Sequence, residues 1–435
     1  MGTAVRLTII GAGSAVFSMN LVRDVCLAEG LGGSTVTLMD VDEGRLDIIH
    51  ELARRYADEV GADLNVEKTL EREAALRDAD FVVNTALPGG HDRAERERAM
   101  TEERGYYRGL GHATVQRCLD LMMAVARDVE RLCPAAWLIQ VGNPVFEGCT
   151  LLTRQTGAKV LGLCHGHYGY REIADVLGLD REGVAFEAPG FNHCIWMTHF
   201  RYKGRDAYPL IDRWIEEESE DYWRTYQPHF AQTQMSPAAV HMYRFYGLMP
   251  IGDASRALWS DVWWYHLSEE TKRRWWGPVG GFDSTEGWGR YLNGLEGRLA
   301  HIHRIAESPD ARVSDEFPPR PSGEQVVPII DALVNDRPGH FQVNVPNNGA
   351  LAGVRDDVVV EVPAVIDGRG IRPLCVGRLP ELIMLGVMWP RWLQMERTLA
   401  AYTTGDRRYL TQALLHDHRT GTWEQAEEAL EALMG

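Results

Sequence analysis

Four groups of residues in this chain have types and spacings suited to chemistry. Gly11-Ala12-Gly13-Ser14 follows one apolar run and precedes a helical one, and Asp40 closes the next apolar run. Glycines at such a bend let backbone amides approach a pyrophosphate, and a helix N-terminus favours its negative charge. A carboxylate at Asp40 accepts hydrogen bonds from a ribose hydroxyl and repels a 2′-phosphate, which selects NAD over NADP. The third glycine of the usual fingerprint is Val16 here. The bend therefore also reads as a tight turn beside a surface aspartate.

The second group is Cys164 and His193, 29 positions apart. A thiolate and an imidazole make a two-ligand metal site open to water or substrate oxygens, and ligand softness suggests zinc before manganese. By spacing alone, a structural cysteine and a core histidine explain the same pair. Asp253 ends Gly-Leu-Met-Pro-Ile-Gly-Asp, where a carboxylate serves either as a base or as a turn former. His165 has an ordinary pKa near neutrality, so it suits a general acid as well as a solvated loop.

The elements that position these groups alternate. Val5 to Ile10, Ser34 to Met39, Asp80 to Asn84, Ala136 to Val141 and Val160 to Leu163 read as strands. Helical periodicity runs over 16–27, 43–60, 92–104 and 114–132. This order predicts an α/β fold whose N-terminal half is a Rossmann-type doubly wound parallel sheet. Ligands of such sheets bind beyond the carboxyl ends of the strands. Those ends carry Gly11, Gly13, Ser14, Asp40, Asn84, Asn143 and Cys164-His165. After about residue 195 helical and loop patterns dominate, apart from a late strand at Val358 to Pro363 and a long helix from Leu379. The expected division is a NAD-binding domain over 1–195 and a mixed, largely helical catalytic and dimerisation domain over 196–435.

Composition narrows the function. The net charge of −17 repels phosphate backbones and anionic lipid, so neither nucleic acid nor membrane is an expected partner. No apolar run is long enough to span a bilayer. The first residues lack a signal-peptide pattern. Seven cysteines without a CxxC pair fit a reduced, cytoplasmic chain.

Taken together, the motifs resemble glycoside hydrolase family 4, the NAD- and metal-dependent glycosidases, over almost the whole length. They are Gly-Ala-Gly-Ser (11–14), Met-Asp-Val-Asp-Glu-Gly-Arg-Leu (39–46), Gly-Asn-Pro-Val (142–145), Gly-Leu-Cys-His-Gly (162–166) and Gly-Phe-Asn-His (190–193). Tyr-Gly-Leu-Met-Pro-Ile-Gly-Asp (246–253), Val-Asn-Val-Pro-Asn-Asn-Gly (343–349) and Val-Val-Glu-Val-Pro-Ala (359–364) follow in order. The resemblance implies a lactate/malate dehydrogenase-like sheet. It implies that Cys164 and His193 bind a divalent metal, usually manganese in place of zinc, and that Asn143 and Asn192 contact sugar or cofactor. The implied reaction oxidises the sugar at C3, removes the C2 proton, eliminates the C1 leaving group, adds water and reduces C3 again.

In the subgroup with Pro-x-Gly-Asp the C2 base is an aspartate, here Asp253; Tyr243 and Tyr246 keep a tyrosine base open. His165 is the expected acid for the leaving group. Cys164-His165-Gly166-His167 is similar to the Cys-His-Gly-Phe of α-uronidases, with His167 departing from it. The expected substrate is an α-galacturonide or α-glucuronide, its carboxylate held by Arg256 or Arg108. A neutral-sugar α-glucosidase or α-galactosidase of the same family is the alternative. A hydroxy-acid dehydrogenase and a non-catalytic NAD sensor rank behind it. The resemblance also implies a homodimer or homotetramer.

Overall fold

A computed structural model describes residues 2–225, 229, 231–255 and 263–434. Strands β1 (Arg6–Ile10), β2 (Ser34–Met39), β3 (Leu64–Thr69), β4 (Phe81–Asn84), β5 (Trp137–Gln140) and β6 (Lys159–Gly162) are all parallel. Their order is β3-β2-β1-β4-β5-β6, the doubly wound Rossmann order. The middle strands read as unbroken apolar runs because helices cover both faces. In β1 only Arg6 is exposed. At the edge, β3 buries only Val66 and turns Glu67 and Lys68 to solvent, which discourages pairing with another chain.

Helix α1 (Ala15–Leu27) follows β1 directly, and α2 (Glu43–Val60) follows β2. Asp42 caps α2 by accepting the Arg45 amide at 3.0 Å. Leu46, Ile49, Leu52, Ala53, Tyr56 and Ala57 form its buried stripe, the spacing of one helical face. Gly61, at φ +66°, ends it in the left-handed conformation.

The second half adds strands as well as helices. These are β7 (Val184–Glu187), β8 (Gly190–Phe191), β9 (Cys194–Met197), β10 (His199–Tyr202), β11 (Arg205–Asp206), β12 (Met249–Ile251), β13 (Gly339–Pro346), β14 (Val359–Asp367) and β15 (Gly370–Pro373). Beyond β6 the main sheet continues through β13, β14, β8, β9 and β12, all antiparallel to their neighbours. β15 pairs with β14, and β7, β10 and β11 form a separate small sheet. Residue 195 falls inside β9, so one sheet runs through both halves of the chain. β8 and β12 are two and three residues long, too short to show a period of two in sequence.

The main core lines both faces of the large sheet. A second core, built around Ile195, Met197, Ile211, Trp214, Met249 and Ile251, sits under β9 and β12. Among the described residues no helix is long and apolar enough to cross a membrane.

Two ion pairs bind the first half to the late helix 389–404. Arg154 meets Glu396 at 2.8 Å through both terminal nitrogens. Arg391 meets Glu147 at 2.7 Å, each side chain 5% exposed. Removing one partner of a buried pair strands the other charge, at a cost of about 3–5 kcal/mol. Glu147→Ala should therefore lower the unfolding free energy by about that amount, read by urea titration. A loss below about 1 kcal/mol would mean that water reaches Arg391.

Candidate active site

The carboxyl edge of the parallel strands carries the expected dinucleotide loop. Gly11 has φ +84°, and a Cβ there would lie 2.7 Å from the Cα of Ala86 in the turn after β4. Glycine alone keeps this bend, which leaves a bare backbone cradle at the start of α1. The Asp40 carboxylate accepts the Gly13 amide at 2.7 Å and the Asp42 amide at 3.0 Å. One side chain thus fixes the loop at the end of β2. Ser14 is exposed and does not cap α1 with its side chain. Asn143 is exposed beyond β5. Asn84 is buried, its amide donating to Gln140 at 3.0 Å and its Oδ1 accepting the Ala86 amide at 3.3 Å. It braces the ends of β4 and β5.

A second cluster gathers where β6, β8, β9, β12 and β14 meet. Phe191 pairs with Cys194, so Asn192-His193 is the two-residue turn of the β8–β9 hairpin. His193 takes φ +62° in that turn, an uncommon conformation for a non-glycine residue. Ile251 pairs with Ile195, and Gly252 follows at φ +63°, where a Cβ would lie 2.5 Å from the Cα of Gly166. That close approach seats Asp253 over the hairpin. Asp253 Oδ2 is 3.2 Å from His193 Nε2.

Cys164, half-buried beyond β6, receives the Gly166 amide at 3.5 Å and lies within hydrogen-bonding reach of the Asn192 side chain. Burial raises its thiol pKa, and the charges of Glu361 and Asp253 raise it further. Without a cation to offset burial and these charges, the thiol keeps its proton. Cys164, Asn192, His193 and Asp253 are thus brought together.

Sequence reasoning missed two carboxylates here. Glu361 lies in β14 opposite Gly190 and Asn344 and is 1% exposed. Its Oε2 accepts the Asn192 amide at 3.0 Å. Burial pushes it up to about 7, while Asn192, Asn344 and Gln342 pull it down. The signal was a lone charge among valines in a strand, since buried charges need a partner. Glu324 is the second. Its Oε2 is 2.9 Å from His165 Nε2, and the two line a small cleft with Cys164 and Tyr168. The Glu324 carboxylate holds the His165 imidazole above the usual histidine value, against burial.

The other expected residues lie apart. His167 is buried: its Nδ1 is 3.1 Å from the Cys164 carbonyl oxygen, and its ring packs on Tyr168 and Phe186. Burial pushes its pKa down to about 3. The departure from phenylalanine therefore faces an aromatic core. Tyr243 donates to Asp212 at 2.7 Å, and Tyr246 packs on Trp196 and Phe245. Arg108, at φ +62°, has Arg98, Asp283, Glu95 and Glu102 as its main charged neighbours. Arg256 lies outside the described residues. Trp275 and Trp276 belong to a ring cluster with Tyr265.

A thiol and an imidazole with a carboxylate beside them are donor types that suit a divalent cation. Among the described residues no group of three or more His, Cys, Asp and Glu side chains is arranged to hold a metal. Cys164 and His193 as a pair leave positions open to substrate oxygens.

The amino-terminal family model "Family 4 glycosyl hydrolase" matches residues 6–179, and the model of that family's C-terminal domain matches 188–420. The chain belongs to glycosyl hydrolase family 4. It is 27% identical to an alpha-galacturonidase of Lachnoclostridium phytofermentans, over 99% of this chain and 95% of that one. It is 24% identical to an alpha-galactosidase of Bacillus subtilis, over 86% and 84%. Among solved structures it is similar to lplD of Bacillus subtilis, with a TM-score of 0.84, 23% identity and 99% of each chain covered. A 6-phospho-alpha-glucosidase from gut microorganisms, solved with NAD and Mn2+, gives a TM-score of 0.80 at 20% identity, over 99% and 98%. These likenesses carry the fold.

For this family 4 hydrolase the two neighbouring histidines should separate in a proton NMR titration. His165 should titrate above the ordinary value of about 6.5, and Glu324→Gln should bring it down. His167 should stay neutral through the physiological range. An ordinary midpoint for His167 would contradict its place in the core.

Proposed function

We propose that this family 4 hydrolase is an α-glycosidase that uses NAD and a divalent metal, manganese above all, to cleave α-galacturonides. One observation carries the reading. Cys164, Asn192, His193 and Asp253 meet at the sheet edge whose other strand ends hold Gly11 and Asp40. A relative that is an alpha-galacturonidase over nearly the whole length supports the sugar class. Bound here, NAD would supply reversible hydride transfer and a divalent metal would supply Lewis-acid polarisation of sugar oxygens.

The chain's own residues do the rest. Cys164 and His193 would hold the cation. Asp253, held beside His193, takes the C2 proton. His165, kept protonated by Glu324, gives a proton to the leaving-group oxygen and later takes one from water. Asp40 fixes the cofactor ribose and the glycine loop its phosphates. Asn143 and Asn192 hold sugar hydroxyls. Arg256, three residues beyond Asp253, is the proposed cation for the uronate carboxylate, with Arg108 second.

The proposal includes a cytoplasmic homo-oligomer. All seven cysteines are free, which fits a reducing compartment.

A panel of aryl glycosides tests this. With NAD and manganese, release should be fastest from the α-galacturonide, slow from α-galactoside, and abolished by chelator. Fastest turnover of a neutral glycoside would move the substrate to the galactosidase class. Net NADH accumulation without sugar release would indicate a dehydrogenase.

A further inference from the structure

Glu361 is a buried carboxyl group beside Cys164 and Asn192 that the reaction above does not use. It lies in the middle of β14 between Val360 and Val362, with 1% exposure. Its Oε2 accepts the Asn192 amide at 3.0 Å. Its Oε1 has no well-formed hydrogen bond, although the Asn344 and Gln342 side chains lie close enough to lower its pKa, and Oδ1 of Asn344 on the adjacent strand is likewise without one. A fold seldom keeps a buried acceptor unpaired without a use for the residue that carries it. Hydrophobic packing at this position would serve stability better, since buried charges are costly to desolvate.

The Asn192 amide stands between Glu361 and Cys164. An amide side chain has two ends of nearly equal size, one donating and one accepting. With the nitrogen inward, it has one N–H for Glu361 and one for the Cys164 sulfur. With the oxygen inward, it would repel both a carboxylate and a thiolate. Glu361 Oε2 is the acceptor of that N–H at 3.0 Å, so it selects the first orientation. Asn192 also precedes His193 in the two-residue hairpin turn, so fixing one side chain steadies the second ligand.

We propose that Glu361 is a positioning residue for the metal site, holding the Asn192 amide with its donors toward Cys164 Sγ. The inference rests on the reading that Cys164 and His193 hold a divalent cation. Outer partners that orient ligands change metal affinity by about 10–100-fold.

The test uses the full-length protein and measures Mn2+ binding by electron paramagnetic resonance. The sulfur-to-cobalt charge-transfer band of the Co2+ form is the second readout, and thermal unfolding the third. Glu361→Met removes the acceptor and the buried charge. It should weaken Mn2+ binding about 10–100-fold and dim the cobalt band without lowering the melting temperature. Glu361→Gln keeps an oxygen for Asn192 and should recover most of the affinity. Asn192→Ala should lose as much as Glu361→Met, and the double variant no more than either.

Wild-type affinity in Glu361→Met would overturn the proposal. Equal losses in Glu361→Met and Glu361→Gln would overturn it in favour of charge alone. If Glu361→Met fails to fold, unchanged Mn2+ binding in Asn192→Ala overturns it. A native protein that binds neither metal would overturn the metal reading, and this inference with it. Binding by the native protein and by Glu361→Met alike removes only the inference.

Discussion

The pairing of Gly190 with Glu361 is the joint on which the site depends. At that point the β8–β9 hairpin docks on β14, and through β13 on the end of β6. Glycine is required at 190 because a Cβ would run into the Cys194 carbonyl oxygen. The joint carries His193 to the Cys164 that β6 delivers. It also lets β12 pair on the far side and bring Asp253 over His193. A parallel sheet alone would end at β6 with a thiol and no partner. The antiparallel extension supplies the imidazole, the amide and the carboxylate.

The parallel half of the fold is legible in the sequence because its strands are buried on both faces and end at glycine, asparagine or aspartate. The loop at Gly11, its Asp40 partner and the position of Cys164 all follow from that. The hairpin is not legible. Two-residue strands carry no alternation, and a histidine at positive φ has no local signature. Asn84 stands at a strand end as expected, yet its side chain faces Gln140, which spacing alone does not reveal. Glu361 and Glu324 escape because their partners are 169 and 159 positions away in the chain. The resemblance to a known family, more than any spacing, joins Cys164 to His193 in the sequence.

The two halves of the site are also tied through one loop. Asp24 on α1 accepts both the amide, at 2.8 Å, and the hydroxyl of Ser322. Two residues on, Glu324 holds His165, and Tyr168 donates to the Gly323 carbonyl between them. The helix that follows the glycine loop therefore anchors the segment that holds His165. In a chain with a net charge of −17, a divalent cation on Cys164 and His193 would offset the charges of Asp253 and Glu361, whose repulsion is part of what raises the free thiol.

The most direct measurement follows hydrogen at the sugar C2. The reduced protein, NAD, manganese and an α-linked galacturonide are mixed in heavy water and observed by NMR, with and without chelator. Released sugar carrying deuterium at C2, lost together with release when chelator is present, is the result that oxidation and elimination at this site predict. Release that continues under chelation, with C2 still carrying its original hydrogen, would contradict it.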